Sequence, residues 1–309
     1  MKCGIELETL IRNEPINGVG SYSGAGTSVE ELPTIRIGNN LKRWGACRDS
    51  SIESHDDDEH DCEFVSPMGC EFNTSFLSWI VDSVAEMKTK LHARVNGTCG
   101  MHFSTSCGEM KSQNVFDLLY VAKVYEDAFY GATGTTSREL GFRENGLGDS
   151  TIYAERLKGF PIIDSDAVCD SNFDGTNIWS RTCWLNLTNL GLSRHSIIPE
   201  GNRIENRVGS GTLNSEKIIA LSNLWVSFYK TTQSVASKPI LPMDFQGDGN
   251  ATRCMRSLLE YVGWTNRGRR QRGTDYFVRH ASMSRSNCVG LLMEECRKYD
   301  SRVQTGRRS

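Results

Sequence analysis

"NRIENRVGSGTLN", residues 202–214, reads as a strand that runs into a glycine-rich turn. Side chains alternate across a strand, so Arg203, Glu205 and Arg207 line one face while Ile204, Asn206 and Val208 line the other. On an exposed antiparallel strand such a charged face is solvated, and its ion pairs contribute little. Other stretches repeat the pattern. "CGIELETL" (3–10) puts Ile5 and Leu7 on one face and Glu6 and Glu8 on the other. "DCEFVSP" (61–67) is a strand carrying Glu63, and "NGTCGMHFSTS" (96–106) is a turn into a strand carrying His102. Shorter strands are predicted at 34–38 and near Trp44.

Between these strands the apolar period changes to that of a helix. "NTSFLSWIVDSVAEMKTKLHA" (73–93) sets Leu77, Ile80, Val81, Val84 and Leu91 along one stripe, with Thr74 or Ser75 as cap. A second helix is predicted over 114–130, with Val115, Leu118, Leu119, Ala122 and Phe129 inward, and a third over 215–230, with Ile218, Ile219, Leu224 and Phe228 inward. Two short helices are predicted in "CMRSLLEYVGW" and "NCVGLLMEECRKY". Hairpin-like strand spacing with interspersed helices predicts an α+β fold, its sheet largely antiparallel and its helices packed on one face. Three stretches follow from composition: a main domain over 1–233, a connector over 234–253, and a short helical, basic extension over 254–309.

The 309 residues are 38% apolar and 24% charged, an ordinary composition for a chain that buries a sizeable core and one that excludes general disorder. No 18-residue apolar run occurs, and the first residues carry no secretion signal, which predicts a cytoplasmic protein. The eleven cysteines are odd in number, scattered and without CxxC spacing, as in reduced proteins where cysteine serves as a small hydrophobe. Net charge is -3 but uneven: residues 251–309 hold 13 Lys/Arg against 5 Asp/Glu, with clusters at 266–272 and 305–309. Such a tail is usually solvated, and it is the one part of the chain suited to an anionic partner such as nucleic acid. Residues 49–63 hold eight carboxylates and read as a solvated acidic loop.

Carboxylates and a histidine on several strands, all pointing away from apolar neighbours, require an explanation. Collected on one sheet face they would repel one another, and divalent cations would reverse the sign of that interaction. Magnesium takes oxygen ligands and leaves room for phosphates, so such a face can hold ATP through its metals. The fork of Arg207 suits a phosphoryl group in transfer.

The order of "GIELET", "WGACRDSSI" (44–52), "CEFVSP", "CGMHFSTS", "LNL" (185–187) and "RIENRVGSGTLN" resembles the motif series of the amidoligase family, relatives of glutamine synthetase, over about residues 3–230. The resemblance implies a sheet of the glutamine synthetase catalytic type and an ATP- and magnesium-dependent carboxylate-amine ligase working through an acyl phosphate. Its substrates would be a carboxylate and an amine, of amino acid or peptide type. It implies Glu6, Glu8, Glu63, His102 and Glu205 as metal ligands, and Arg207, Glu205 and His102 as catalytic residues. Asp49, Ser51, Arg138 and Arg207 would be nucleotide contacts. Two positions depart from the pattern: Ser104 stands where the family has a second histidine, and Asn206 stands where it has an aromatic residue. Glu71, eight residues past Glu63, is a further candidate ligand but reads more simply as an acidic residue opening a helix. Two rival functions remain on sequence alone: a phosphotransferase of the same fold, and a non-catalytic protein binding nucleic acid through its basic tail.

Overall fold

A computed structural model describes residues 1–12, 35, 38–49, 51–54, 56–67, 69–107, 110–134, 154–157, 180, 182–188, 190, 197–198, 203–234, 249–265 and 276–306. Its strands are β1 (Lys2–Ile11), β2 (Gly45–Cys47), β3 (His60–Val65), β4 (Cys70–Glu71), β5 (Gly100–Ser106), β6 (Met110–Lys111), β7 (Leu185–Asn186), β8 (Ile197–Ile198) and β9 (Arg203–Ser210). The main sheet runs β2-β3-β1-β5-β9-β7, with β4 pairing the start of β1, while β6 and β8 form a separate ribbon. Every pairing between these named strands is antiparallel. The protein is therefore α+β with an antiparallel sheet, as the strand and helix patterns predict.

The helices are α1 (Thr74–Lys90), α2 (Ser112–Val124), α3 (Glu126–Gly131), α4 (Ser215–Ser234), α5 (Ala251–Tyr261) and α6 (Arg285–Gly306). On the sheet Ile5, Leu7, Phe64, Met101 and Phe103 share one hydrophobic cluster with Leu77, Ile80 and Val84 of α1 and with Leu224, Trp225 and Phe228 of α4. Each such side chain removed from water stabilises the fold by about 1.5–3 kcal/mol. This burial fixes the register of the central strands, because a one-residue slip would turn the apolar set outward. The opposite parity of β1, β3, β5 and β9 is thereby committed to a second face, where the acidic residues collect.

Several local expectations are corrected. Asn73, not Thr74 or Ser75, caps α1, its Oδ1 accepting from Phe76 N at 3.0 Å. The helix over 114–130 is broken at Tyr125 into α2 and α3. The last helix is far longer than its apolar stretch suggests, because its flanks are polar and solvated. Over 34–38 the described residues, Ile35 and Gly38, form no strand. The acidic loop is solvated at Asp56, Asp57 and Asp58, yet Glu59 is buried and held by both Arg94 and Arg12. Of the ten described cysteines nine are buried and all are free thiols. Among the described residues no helix is long and apolar enough to cross a membrane.

Candidate functional site

Strand register builds the site. Glu8 lies opposite Glu63, and Glu6 lies opposite Val65 on one side and His102 on the other. Ser104 lies opposite Glu205, and Cys47 opposite Glu63. Directly opposed residues share a face, so four carboxylates from three strands surround one imidazole. His102 is 2% exposed. Its Nδ1 lies 3.3 Å from Glu6 Oε2 and 3.4 Å from Glu205 Oε1, and its Nε2 lies 3.4 Å from Glu8 Oε1. Two sets of ligand atoms, Glu6 with His102 and Glu205, and Glu8 with Glu63 and His102, each fall within 4.8 Å of one another.

Glu205 is buried and closely held. Asn186 Nδ2 donates to its Oε2 at 2.7 Å, and Arg207 donates to its Oε1 at 2.7 Å. Arg207 stands at an irregularity: β5 and β9 change register between Met101 and Phe103, where β9 accommodates one extra residue. Such a bulge re-aims side chains. The backbone N–H of Arg207 donates to the Trp184 carbonyl at 2.7 Å, which anchors the bulged segment from the β7 side. Burial works against the Arg207 charge, but Glu205, Glu6 and Glu8 outweigh it and hold its pKa above the ordinary value. The solvated charged ladder that β9 alone suggests is thus overturned for Glu205 and Arg207, which are 4% and 15% exposed in their side chains.

Glu63 is the least satisfied member. It is 6% exposed, and among the described residues its only hydrogen-bond donor is the Cys47 thiol, with Sγ 3.5 Å from Oε2. Burial pushes its carboxyl well above the usual carboxylate range, and Glu6, Glu8 and Asp49 push it further. The Ser104 hydroxyl on the same face is buried and has no hydrogen-bond partner among the described residues. Buried carboxylates facing each other, an imidazole among them and polar atoms left short of partners make a donor set that could hold a divalent cation. Glu6, Glu8, Glu63, His102 and Glu205 fit such ions.

The remaining candidates divide. Asp49 lies close enough to act on Glu63 electrostatically, and its Oδ1 accepts from Ser51 N at 2.9 Å, so Ser51 belongs to the turn that Asp49 organises. Arg138 lies outside the described residues. Asn206 points to the apolar side, against Met101, Phe103 and Phe129. Glu71 opens no helix: it lies in β4, is largely exposed, and pairs with the Met1 amine at 2.7 Å. Cys47 and Asn186 were given no role by the sequence, although both fall inside the motif stretches "WGACRDSSI" and "LNL".

No family model and no curated protein matches the chain. Among solved structures it is similar to a chain of the crystal structure of the complex between the prokaryotic ubiquitin-like protein Pup and its ligase PafA, at 12% identity and a TM-score of 0.39. The likeness covers 97% of this chain and 63% of that one, so this chain spans less than two thirds of its length.

Proposed function

We propose that the protein is an ATP- and magnesium-dependent carboxylate-amine ligase. The observation that carries this reading is the buried ring of Glu6, Glu8, Glu63 and Glu205 about His102, with the Arg207 fork fixed at its edge. Magnesium held by these residues would supply charge neutralisation for the phosphates of ATP. In the reaction a substrate carboxylate oxygen attacks the γ-phosphorus and ADP departs, leaving an acyl phosphate. The amine then attacks the acyl carbon, phosphate leaves, and the nitrogen gives up a proton. Phosphorylation replaces a poor leaving oxygen by a good one.

The chain's own residues have separable tasks. Glu205 orients Arg207 through the 2.7 Å hydrogen bond, and Asn186 keeps Glu205 turned toward the face. Arg207 donates to the transferred phosphoryl group, whose charge is spread over several oxygens in the transition state. Asp49 and Ser51 are assigned to the nucleotide, as is Arg138, which lies outside the described residues. The substrates are of amino acid or peptide type, and the protein works in the cytoplasm.

The test incubates the protein with ATP, magnesium and pooled carboxylates and amines, and follows products by mass. An ATP-dependent product equal to carboxylate plus amine minus one water is expected, absent with Glu205→Gln. A phosphorylated carboxylate without amide would instead identify a phosphotransferase. No ATP turnover, together with strongly salt-dependent binding of nucleic acid, would identify the binding protein.

A further inference from the structure

We propose that Glu126 is a positioning residue for Arg207: its carboxylate holds the indole of Trp184, and Trp184 fixes the bulge of β9 that aims the guanidinium. This rests on the proposal that Arg207 serves a phosphoryl group, and it extends that machinery to a residue of α3.

Three observations carry it. First, Glu126 is 2% exposed, and its Oε2 accepts from Lys123 Nζ at 2.7 Å and lies 3.5 Å from Arg156 Nη1. Its Oε1 accepts from Leu157 N at 2.6 Å and from Trp184 Nε1 at 2.9 Å. Two cations and a backbone N–H already compensate the buried charge, so the indole bond is not needed to keep it. What that bond adds is the placement of Trp184. Second, Trp184 is fully buried and immediately precedes β7. Its backbone N–H donates to the Glu155 carbonyl at 3.0 Å, and its carbonyl accepts from Arg207 N at 2.7 Å. Two residues on, Asn186 donates to Glu205, which accepts from the Arg207 guanidinium. One indole therefore reaches Arg207 twice, through its backbone and through its side chain. Third, Arg207 lies where the ladder between β5 and β9 is interrupted, so its backbone N–H is held from the β7 side, by Trp184.

Packing alone would not place the indole. Phe129, three residues along α3, lies against it with ring centroids 5.0 Å apart and planes 31° apart, a contact that restrains tilt more than sliding. The hydrogen bond to Glu126 fixes the remaining freedom. Nor does the bond merely tether residues 154–157, because Leu157 N donates to Glu126 and Lys123 donates to the Leu157 carbonyl at 2.9 Å without it. The indole bond is thus separable from that tether. Its loss should displace Arg207 first, and a displacement of about 1 Å at a reacting group costs roughly 10²-fold in rate.

The test observes Arg207 itself in the full chain. Its Nε is buried, and the nitrogen-15 resonance of that group, identified by its loss in Arg207→Lys, is compared between wild type, Trp184→Phe and Glu126→Ala. Trp184→Phe removes the indole N–H and leaves Glu126 its other donors, so the resonance should shift or broaden in both variants. Each should also lower ATP turnover by about tenfold or more with ATP KM nearly unchanged. In an Arg207→Lys background each should add less than about twofold, because residues acting through one group are not additive. An unmoved resonance in a folded Trp184→Phe, or losses that multiply in the double variant, overturns the proposal. Should Glu126→Ala not fold, Trp184→Phe decides. Should neither fold, hydrogen exchange in the wild type decides: one common rate for the Trp184 indole N–H and the Arg207 backbone N–H supports the link, and rates differing by about tenfold or more overturn it. A moved resonance with no ATP turnover in the wild type sinks the ligase reading alone, and amide formation with an unmoved resonance sinks only the role of Glu126.

Discussion

At the scale of single residues, the proposed reaction separates groups that would bind from groups that would act in the transition state. Lysine at position 207 keeps a charge but loses the planar fork that Glu205 engages and that the proposed phosphoryl transfer calls for. Arg207→Lys is therefore expected to lower turnover by roughly 10²-fold or more, the scale of one transition-state donor, with a much smaller change in ATP affinity. Single-turnover kinetics beside equilibrium nucleotide binding would separate the two, and equal small effects would return Arg207 to a structural role. Glu6→Gln and Glu205→Gln are expected to abolish magnesium-dependent ATP binding, with the metal-free melting temperature unchanged or raised in Glu6→Gln, which relieves like-charge repulsion, and lowered in Glu205→Gln, which takes from the buried Arg207 its 2.7 Å ion-pair partner; calorimetry in magnesium and in chelator measures both. The residues concerned differ in how legible they were. Glu6, Glu8, Glu63, His102 and Glu205 announced themselves by strand parity, because a carboxylate opposite an apolar set has few explanations. Cys47 did not, since a buried cysteine reads as a small hydrophobe until its cross-strand neighbour is known. Asn186 was hidden for the same reason: its contact with Glu205 depends on the pairing of β7 with β9.

At the scale of elements, the bulge of β9 does what the alternating pattern could not foretell. Parity predicted the faces of Glu205 and Arg207 correctly, but an extra residue leaves no trace in a period of two. Gly209 marks it: a Cβ there would sit 2.5 Å from the backbone oxygen of Met101, an atom unable to move away alone. Gly209→Ala is expected to destabilise the protein by about 1–3 kcal/mol through overpacking and, if β9 shifts to relieve the clash, to lower turnover as well. Denaturant melts and ATP turnover would read the two effects. A second junction joins the end of β1 to the acidic loop. Hydrogen bonds from Arg94, reinforced by its charge and by Arg12, hold the Glu59 carboxyl below its ordinary value despite burial. A depressed carboxylate pKa adds stability that is complete above the unfolded value and lost as pH falls through the folded one. Arg94→Ala is thus expected to cost about 1–3 kcal/mol near neutrality, and to flatten the loss of stability below the ordinary carboxylate range. Thermal melts across that acidic range would check it; an unchanged slope would place the acid sensitivity elsewhere.

At the scale of the whole molecule, the question is whether residues 254–309 are an appendage, as their basic composition suggests, or part of the structure that carries the site. Composition reports charge, not packing, and the packing is extensive. Met255 and Leu258 of α5 and Leu292 and Cys296 of α6 are buried in the cluster that includes Tyr125 and Ala128. Gly131 of α3 is where three helices meet, since a Cβ there would lie 2.4 Å from Ala251 Cβ and 2.9 Å from Cys296 Sγ. The Asp300 carboxylate accepts from the backbone N–H groups of Ala251 and Thr252 at 2.8 and 3.0 Å, and Lys217 of α4 pairs with Glu295 at 2.8 Å. With about 1.5–3 kcal/mol for each buried side chain removed, losing both helices rivals the whole 5–15 kcal/mol that stabilises a domain. A chain ending at residue 250 is accordingly expected not to fold, as read by circular dichroism and melting. A chain ending at 300 keeps Asp300 and every buried side chain named above, and lacks the end of α6 with Arg302 and the residues that follow it in sequence, Arg307 and Arg308 among them. It should therefore retain the melting temperature within a few degrees and the full ATP turnover, because no ligand of the proposed centre lies beyond Glu205 and Arg207 on the sheet. A folded 1–300 chain without turnover would mean that the terminal arginines reach the nucleotide; a folded 1–250 chain would mean that α5 and α6 are an appendage after all.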